Sequence, residues 1–236
     1  AWVGASAATD PCAEARTALD ATWNPTRRAA SSGALGATKL PYATALGEVV
    51  GARIDAYAST WTDARAQVCE ATWRRGEQSA TLLDRRMACL DAGRDALEAL
   101  VSAIAEIDAD QVPRLPMAID ELRDPGECVI LGSPPGAALP VPARQVEAVA
   151  ASRGRLAALR TAAILEGPAS RIVLLEEELA FAEQLEVAPL VAEATLVLGQ
   201  VHLAARDPRA AAHLERAANL AEELGDDWLR EEAVRA

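Results

Sequence analysis

Six side chains carry most of the latent chemistry of this chain: Cys12, Cys69, Cys89, Cys128, His202 and His213. Four thiols can form two disulfides in any of three connectivities, or remain as four small buried hydrophobes. No Cys-x-x-Cys pair occurs and both histidines lie far along the chain from the cysteines, so the close ligand pairs of a structural zinc site are missing. His202 and His213 are expected on opposite helices of one helix pair, His202 toward the core and His213 at the surface, with no metal and no cofactor between them. The carboxylate runs Glu176-Glu177-Glu178 and Glu222-Glu223 read as solvated helix faces, since adjacent helical positions point about 100° apart. The sequence contains no nucleophile elbow, zinc-protease helix or phosphate-binding loop, so it reads as non-catalytic. Arg74-Arg75-Gly76-Glu77-Gln78-Ser79 is a polar tip in which Arg74 and Arg75 are candidate partner contacts. It is also readable as purely structural, with Ser79 capping the next helix and Glu77 pairing with an arginine. Tyr57, Trp61 and Trp73 are expected in the core.

Composition bounds what positions these residues. The chain has 236 residues, fifty-five of them alanine, and is 51% hydrophobic but only 3% aromatic. Helices packed through small side chains fit that profile; a β-sandwich or barrel would need more β-branched and aromatic residues. The net charge of −12 argues against a nucleic-acid or anionic-membrane surface. No run of about 18 apolar residues is present to span a bilayer. The apolar opening Ala1–Ala8 reads as a frayed terminus, or as the outer end of a membrane helix or signal segment.

The periodicity predicts a helix over 12–31, with Asp10 as N-cap, Pro11 at its first position and Ala15, Leu19 and Trp23 on its apolar face. Asn24-Pro25 is expected to end or kink it, and Ser31–Gly36 to form a loop. Over 41–75, Leu46, Val50, Ile54, Tyr57, Trp61, Ala64, Val68 and Thr72 step by three or four, one stripe of a long helix. Leu83, Met87, Leu90, Leu97, Val101, Ile104 and Ile107 form a second stripe beyond the polar tip. The two should make an antiparallel hairpin, which would bring Cys69 and Cys89 to similar heights. A Cys69–Cys89 bridge is therefore favoured, leaving Cys12–Cys128. Pro113 and Pro116 should end regular structure. Residues 124–142, with five prolines and three glycines, are read as a connector between a helical domain at 1–123 and a second unit at 143–236.

In that second unit helical segments break at Gly167-Pro168, near Ala188-Pro189, at Asp207-Pro208 and at Gly225-Asp226. A helix pair every 35 to 40 residues or roughly so is the spacing of a helical repeat. Leu198-Gly199-Gln200-Val201-His202 followed by Ala210, Leu214 and Ala217 resembles a tetratricopeptide repeat, with His202 in place of the usual tyrosine, Thr195 in place of the opening tryptophan and a turn one residue short. Trp228–Ala236 resembles a further first helix cut short, as in a fragment of a longer array. The overall expectation is an all-α chain: a disulfide-stapled helical hairpin unit followed by tetratricopeptide-like pairs. A groove lined by first helices would hold an extended peptide, with Thr195, Gln200 and Arg206 as candidate lining residues.

The stretch Cys69-Glu-Ala-Thr-Trp-Arg-Arg-Gly-Glu-Gln-Ser79, continued by Leu82-Leu83-Asp84-Arg85-Arg86-Met87-Ala88-Cys89-Leu90, resembles the extracytoplasmic region of myxobacterial-type receptor serine/threonine kinases. The order of parts is similar: apolar start, Cys12 segment, hairpin, Pro-rich stretch with Cys128, then repeats. Pro113 and Pro116 depart from it, since the corresponding stretch is expected to be helical in such proteins, and the glycine loop, His-Arg-Asp and Asp-Phe-Gly elements of a kinase domain are absent. The resemblance implies a bacterial extracytoplasmic sensor region, with kinase activity confined to a parent protein and membrane attachment only through a segment upstream of residue 1. It also implies oxidised cysteines, an oxidising compartment being where disulfides persist. Protein or peptide partners are expected from the repeat groove, and self-association as a way such a region would alter the pairing of attached kinase domains. The alternative is a cytoplasmic adaptor of tetratricopeptide type with free thiols.

Overall fold

A computed structural model describes residues 12–132 and 141–236. The apolar start, the Asp10 cap, Pro11 and the prolines at 134, 135 and 140 lie outside the described residues. Among those described, every regular element is helical, as alanine content and periodicity require.

The first segment departs from the expected single helix. Only Ala13–Arg16 winds, as a 3-10 turn, and helix α1 begins at Pro25 and runs to Ala37. Asn24-Pro25 is thus a start and not a stop. The Asn24 side chain accepts from the backbone N–H groups of Thr26 and Arg27, while proline supplies a preset φ at a position that needs no donor. The expected loop at Ser31–Gly36 is the body of α1, whose Ser31 and Leu35 are buried. Ala15, Leu19 and Trp23 do bury, and the Trp23 indole donates to Asp55 at 2.7 Å.

The hairpin is formed by α2 (Ala43–Trp73) and α3 (Ala80–Ala105). Trp61 is wholly buried, and its Nε1 donates to the Leu90 carbonyl at 2.7 Å. Arg65 pairs with Asp91, and Gly93 sits under Tyr57 and Trp61, so the two helices run antiparallel. At the tip, Gly76 takes the left-handed conformation and Ser79 caps Leu82. The Gln78 amide donates to the Val68 carbonyl and to Thr72. Trp73 is corrected from core to surface, being 60% exposed, while Tyr57 and Trp61 are buried or nearly so.

Both disulfides are present but their pairing is the other one: Cys12–Cys69 and Cys89–Cys128, each with Cα atoms 5.7 Å apart. The reason is register. Trp61 faces Leu90 and Tyr57 faces Gly93, so the position level with Cys69 falls near residue 82, about two helical turns or on the order of 10 Å from Cys89. Cys69 reaches the N-terminal turn instead. Cys89 reaches α5 (Pro125–Ile130), a short helix capped by Asp124 within the expected connector. Before it, Pro113 lies in a 3-10 turn and Pro116 in the first turn of α4 (Leu115–Asp120).

The C-terminal helices are α6 (Val146–Glu166), α7 (Ile172–Leu185), α8 (Ala188–Ala204), α9 (Ala210–Leu224) and α10 (Asp227–Arg235). Each break falls at the Gly or Pro signal read from the sequence. Gly167 and Gly225 have positive φ, and Pro168 and Pro189 each open a helical segment. α8 is the centre of this unit, with Leu190, Ala194, Leu198, Val201 and His202 buried. A Cβ on Gly199 would lie 2.9 Å from Leu214 Cδ2 and 3.2 Å from His213 Cβ, so α8 and α9 approach closely there, as the Leu-Gly pair implies. α6 serves two cores. Val149 and Leu156 pack with α7 and α8, whereas Ile164 and Leu165 pack with the hairpin. Its C-terminal end is tied back by Arg114, which donates to the Leu165 carbonyl at 2.8 Å.

Candidate functional site

Where α3 meets α6, a cavity of about 550 Å³ opens between the hairpin and the C-terminal helices. Its origin is in the side chains of α3. Leu83, Leu90, Leu97, Val101 and Ile104 turn into the hairpin core. A second stripe, Ala88, Ala92 and Ala96, faces the C-terminal unit with side chains too short to fill the gap. The opposite wall is Leu156, Ala157 and Ile164 of α6 with Leu196 and Val197 of α8, and Trp228 and Leu229 of α10 close one end. Pro189, Glu193 and Val197 recur at four-residue intervals, so one face of α8 lines the cavity. α3 roofs the cavity.

The lining also carries charged side chains, among them Asp95, Glu121, Arg153, Arg160 and Glu193. Arg153 makes a two-pronged pair with Glu193, at 2.6 and 2.8 Å, and Arg160 pairs with Glu121 at 2.6 Å. Two other guanidiniums gather at the Trp228 end. The Arg123 guanidinium carbon lies over the indole, 4.0 Å from its centroid, and its Nε donates to Glu127 at 3.2 Å. Its two terminal nitrogens make no hydrogen bond among the described residues. Burial pulls the Arg123 pKa down, with the Glu127 bond opposing. Arg85 is 17% exposed, and its contacts are long: 3.3 Å to the Gly132 carbonyl, 3.4 Å to Gly225 and 3.9 Å to Asp226. Asp226 is itself engaged as the cap of α10, accepting from Leu229 N–H at 3.1 Å.

The residues singled out in sequence are dispersed. Thr195 is corrected from groove lining to core: it is wholly buried and its hydroxyl donates to the Val191 carbonyl at 2.6 Å. Gln200 is half-buried with its Oε1 unpartnered. Arg206 sits exposed in the left-handed turn after α8, φ 57°. Arg74 and Arg75 are at the hairpin tip, pairing with Glu70 and Glu77. None of these five lines the cavity. The cavity residues have one sequence signal, the alanine stripe 88-92-96 offset from the leucine stripe of the same helix; nothing local marks Arg85 or Arg123.

The acidic runs and histidines resolve differently. Glu178 is corrected from solvated face to core: it is 7% exposed, accepts from the Ser152 hydroxyl at 2.5 Å and takes both prongs of Arg155. Glu176 pairs with Arg209, and Glu222 and Glu223 are exposed. His202 is buried as read, its Nδ1 3.4 Å from Asp207. His213 is half-buried and stacks on it, centroids 5.1 Å apart and rings near parallel. Among the described residues no group of three or more His, Cys, Asp or Glu is placed to hold a metal ion.

Burial, with His202, Arg216 and Arg209 nearby, lowers the His213 pKa. The unfolded chain, with an ordinary value of about 6.5, then takes up this proton first on acidification. Stability contributed by neutral His213 is complete above about pH 6.5 and is lost as pH falls toward the folded value. The thermal midpoint is expected to drop between neutral pH and pH 5 or so, and to drop less in His213→Gln. Equal drops in both proteins would refute this assignment.

Taken together, these features define, among the described residues, an all-α protein with two disulfides and a junctional cavity large enough for a small molecule; a second cavity, of about 700 Å³, lies between other faces of α3 and α6. No family model matches the chain, and no curated protein or solved structure does either.

Proposed function

We propose that this chain is a non-catalytic sensor region on the extracytoplasmic side of a bacterial membrane, and that its ligand enters the junction between the hairpin and the tetratricopeptide-like pairs. The observation that carries the proposal is the cavity itself. Its walls come from both units, so an occupant there bears on how they pack. The two disulfides support an oxidising location, and disfavour the adaptor with free thiols. The repeat resemblance supports a peptide segment of a protein partner as the ligand. The kinase resemblance supports a serine/threonine kinase across the membrane as the output, with ligand or self-association altering the pairing of kinase domains.

A photo-cross-linker tests this in cells that export the chain. Val197→p-benzoylphenylalanine places the reactive ketone on the open face of α8; Glu215→p-benzoylphenylalanine, on the exposed side of α9, is the control. A discrete adduct at 197 and none at 215 is expected. The same products at both positions, or none at either, would overturn the junction as the binding site.

A further inference from the structure

We infer that the junctional cavity is a site for an anionic amphiphile, a long-chain carboxylate whose tail lies along α3 and whose head meets Arg85 and Arg123. This rests on the reading of the cavity as the ligand site, and assigns that site to an amphiphile in place of the peptide that the repeat resemblance supports. Three observations carry it. The first is shape: about 550 Å³ is within the roughly 300–1,000 Å³ of small-molecule sites, and it is too confined for a folded partner. The second is the division of the lining. Ala88, Ala92 and Ala96 share the lining with Leu156, Ile164 and Val197, an apolar stretch that suits an alkyl chain. The third is the end of the cavity. The guanidinium of Arg123 lies over the Trp228 ring, and its terminal nitrogens make no hydrogen bond among the described residues, although Glu127, Asp226 and Glu232 are near enough to act on its charge. Arg85 makes only long contacts. Such a pair of guanidiniums matches a carboxylate or phosphate oxygen pair.

The other arginines of the lining do not compete for the head. Arg153 is saturated by Glu193, and Arg160 is paired with Glu121. A ligand carboxylate would therefore be directed to the Trp228 end, and its apolar tail to the alanine stripe. Free fatty acid and the acyl chain of an anionic phospholipid share this chemistry.

The test uses the oxidised chain and laurate below its micelle concentration, read by calorimetry and by tryptophan emission. Saturable one-to-one binding is expected, weakened about tenfold in Arg123→Gln and in Arg85→Gln, the worth of one charge-assisted hydrogen bond. Ala92→Leu fills the tail site, and should abolish binding while leaving the helical circular dichroism and thermal midpoint in place. Dodecyl maltoside, with the same tail and no charge, should bind at least about tenfold more weakly. Co-sedimentation with phosphatidylglycerol vesicles assigns the site to a lipid; binding of free laurate alone assigns it to a fatty acid; both uphold the proposal. No saturable binding, or equal affinity for the maltoside, overturns it. Because the cross-link at position 197 does not depend on laurate, an adduct there without laurate binding would reject the amphiphile and leave the sensor reading standing.

Discussion

Trp61→Ala is expected to lower the unfolding free energy by about 3–5 kcal/mol, the range for removing a fully buried aromatic. Trp61 is the largest wholly buried side chain. Its ring lies between the two hairpin helices at Gly93, with Arg65 over one face. The loss is mostly cavity and lost transfer energy, because the Leu90 carbonyl it engages belongs to a helix and keeps an intrahelical partner. Trp61→Phe retains most of the volume and should cost less than half as much. Urea unfolding followed by circular dichroism measures both, with an unchanged denaturant slope as the sign that stability alone has moved. A loss under about 1 kcal/mol for the alanine variant would mean the hairpin core does not hold the molecule together.

Removing the disulfides ranks next. The loops closed by Cys12–Cys69 and Cys89–Cys128 span 57 and 39 residues. Chain entropy alone gives about 4 kcal/mol for each, and measured removals fall at about 2–5 kcal/mol. Replacing each pair by alanine should lower the thermal midpoint by about two to four degrees for every kcal/mol lost in a chain of this size. Digestion without reductant should yield peptides joining Cys12 to Cys69 and Cys89 to Cys128. Peptides joining Cys69 to Cys89 would refute the pairing, and four alkylatable thiols in folded, exported protein would refute the extracytoplasmic placement as well.

The hairpin was legible because Ile54, Trp61, Val68, Leu90, Leu97 and Ile104 recur at helical spacing and every one is buried. The C-terminal breaks were legible because Gly and Pro mark them with backbone constraints that act locally. The disulfide pairing was not, since it depends on the axial offset of two helices, which single-helix periodicity does not encode. Asn24-Pro25 was ambiguous for a related reason: the same dipeptide stops one helix and caps another. Glu178 was misread because its neighbours Glu176 and Glu177 are polar too, and only the arrival of Ser152 and Arg155 from α6 gives it a buried partner set. The cavity lay half in view. Its alanines are periodic, but its emptiness is a property of two units meeting, and Arg123 acquires its place only when α10 brings Trp228 beneath it.

The disulfide topology has a consequence for biogenesis. Taken in chain order, the bonds join the first cysteine to the second and the third to the fourth. A polypeptide threaded N-terminus first into an oxidising compartment presents its thiols in that order. An oxidase that links each thiol to the next one to emerge would produce the native set directly. If the chain is exported as proposed, it would need a catalyst of disulfide formation but no isomerase to correct crossed or nested bonds.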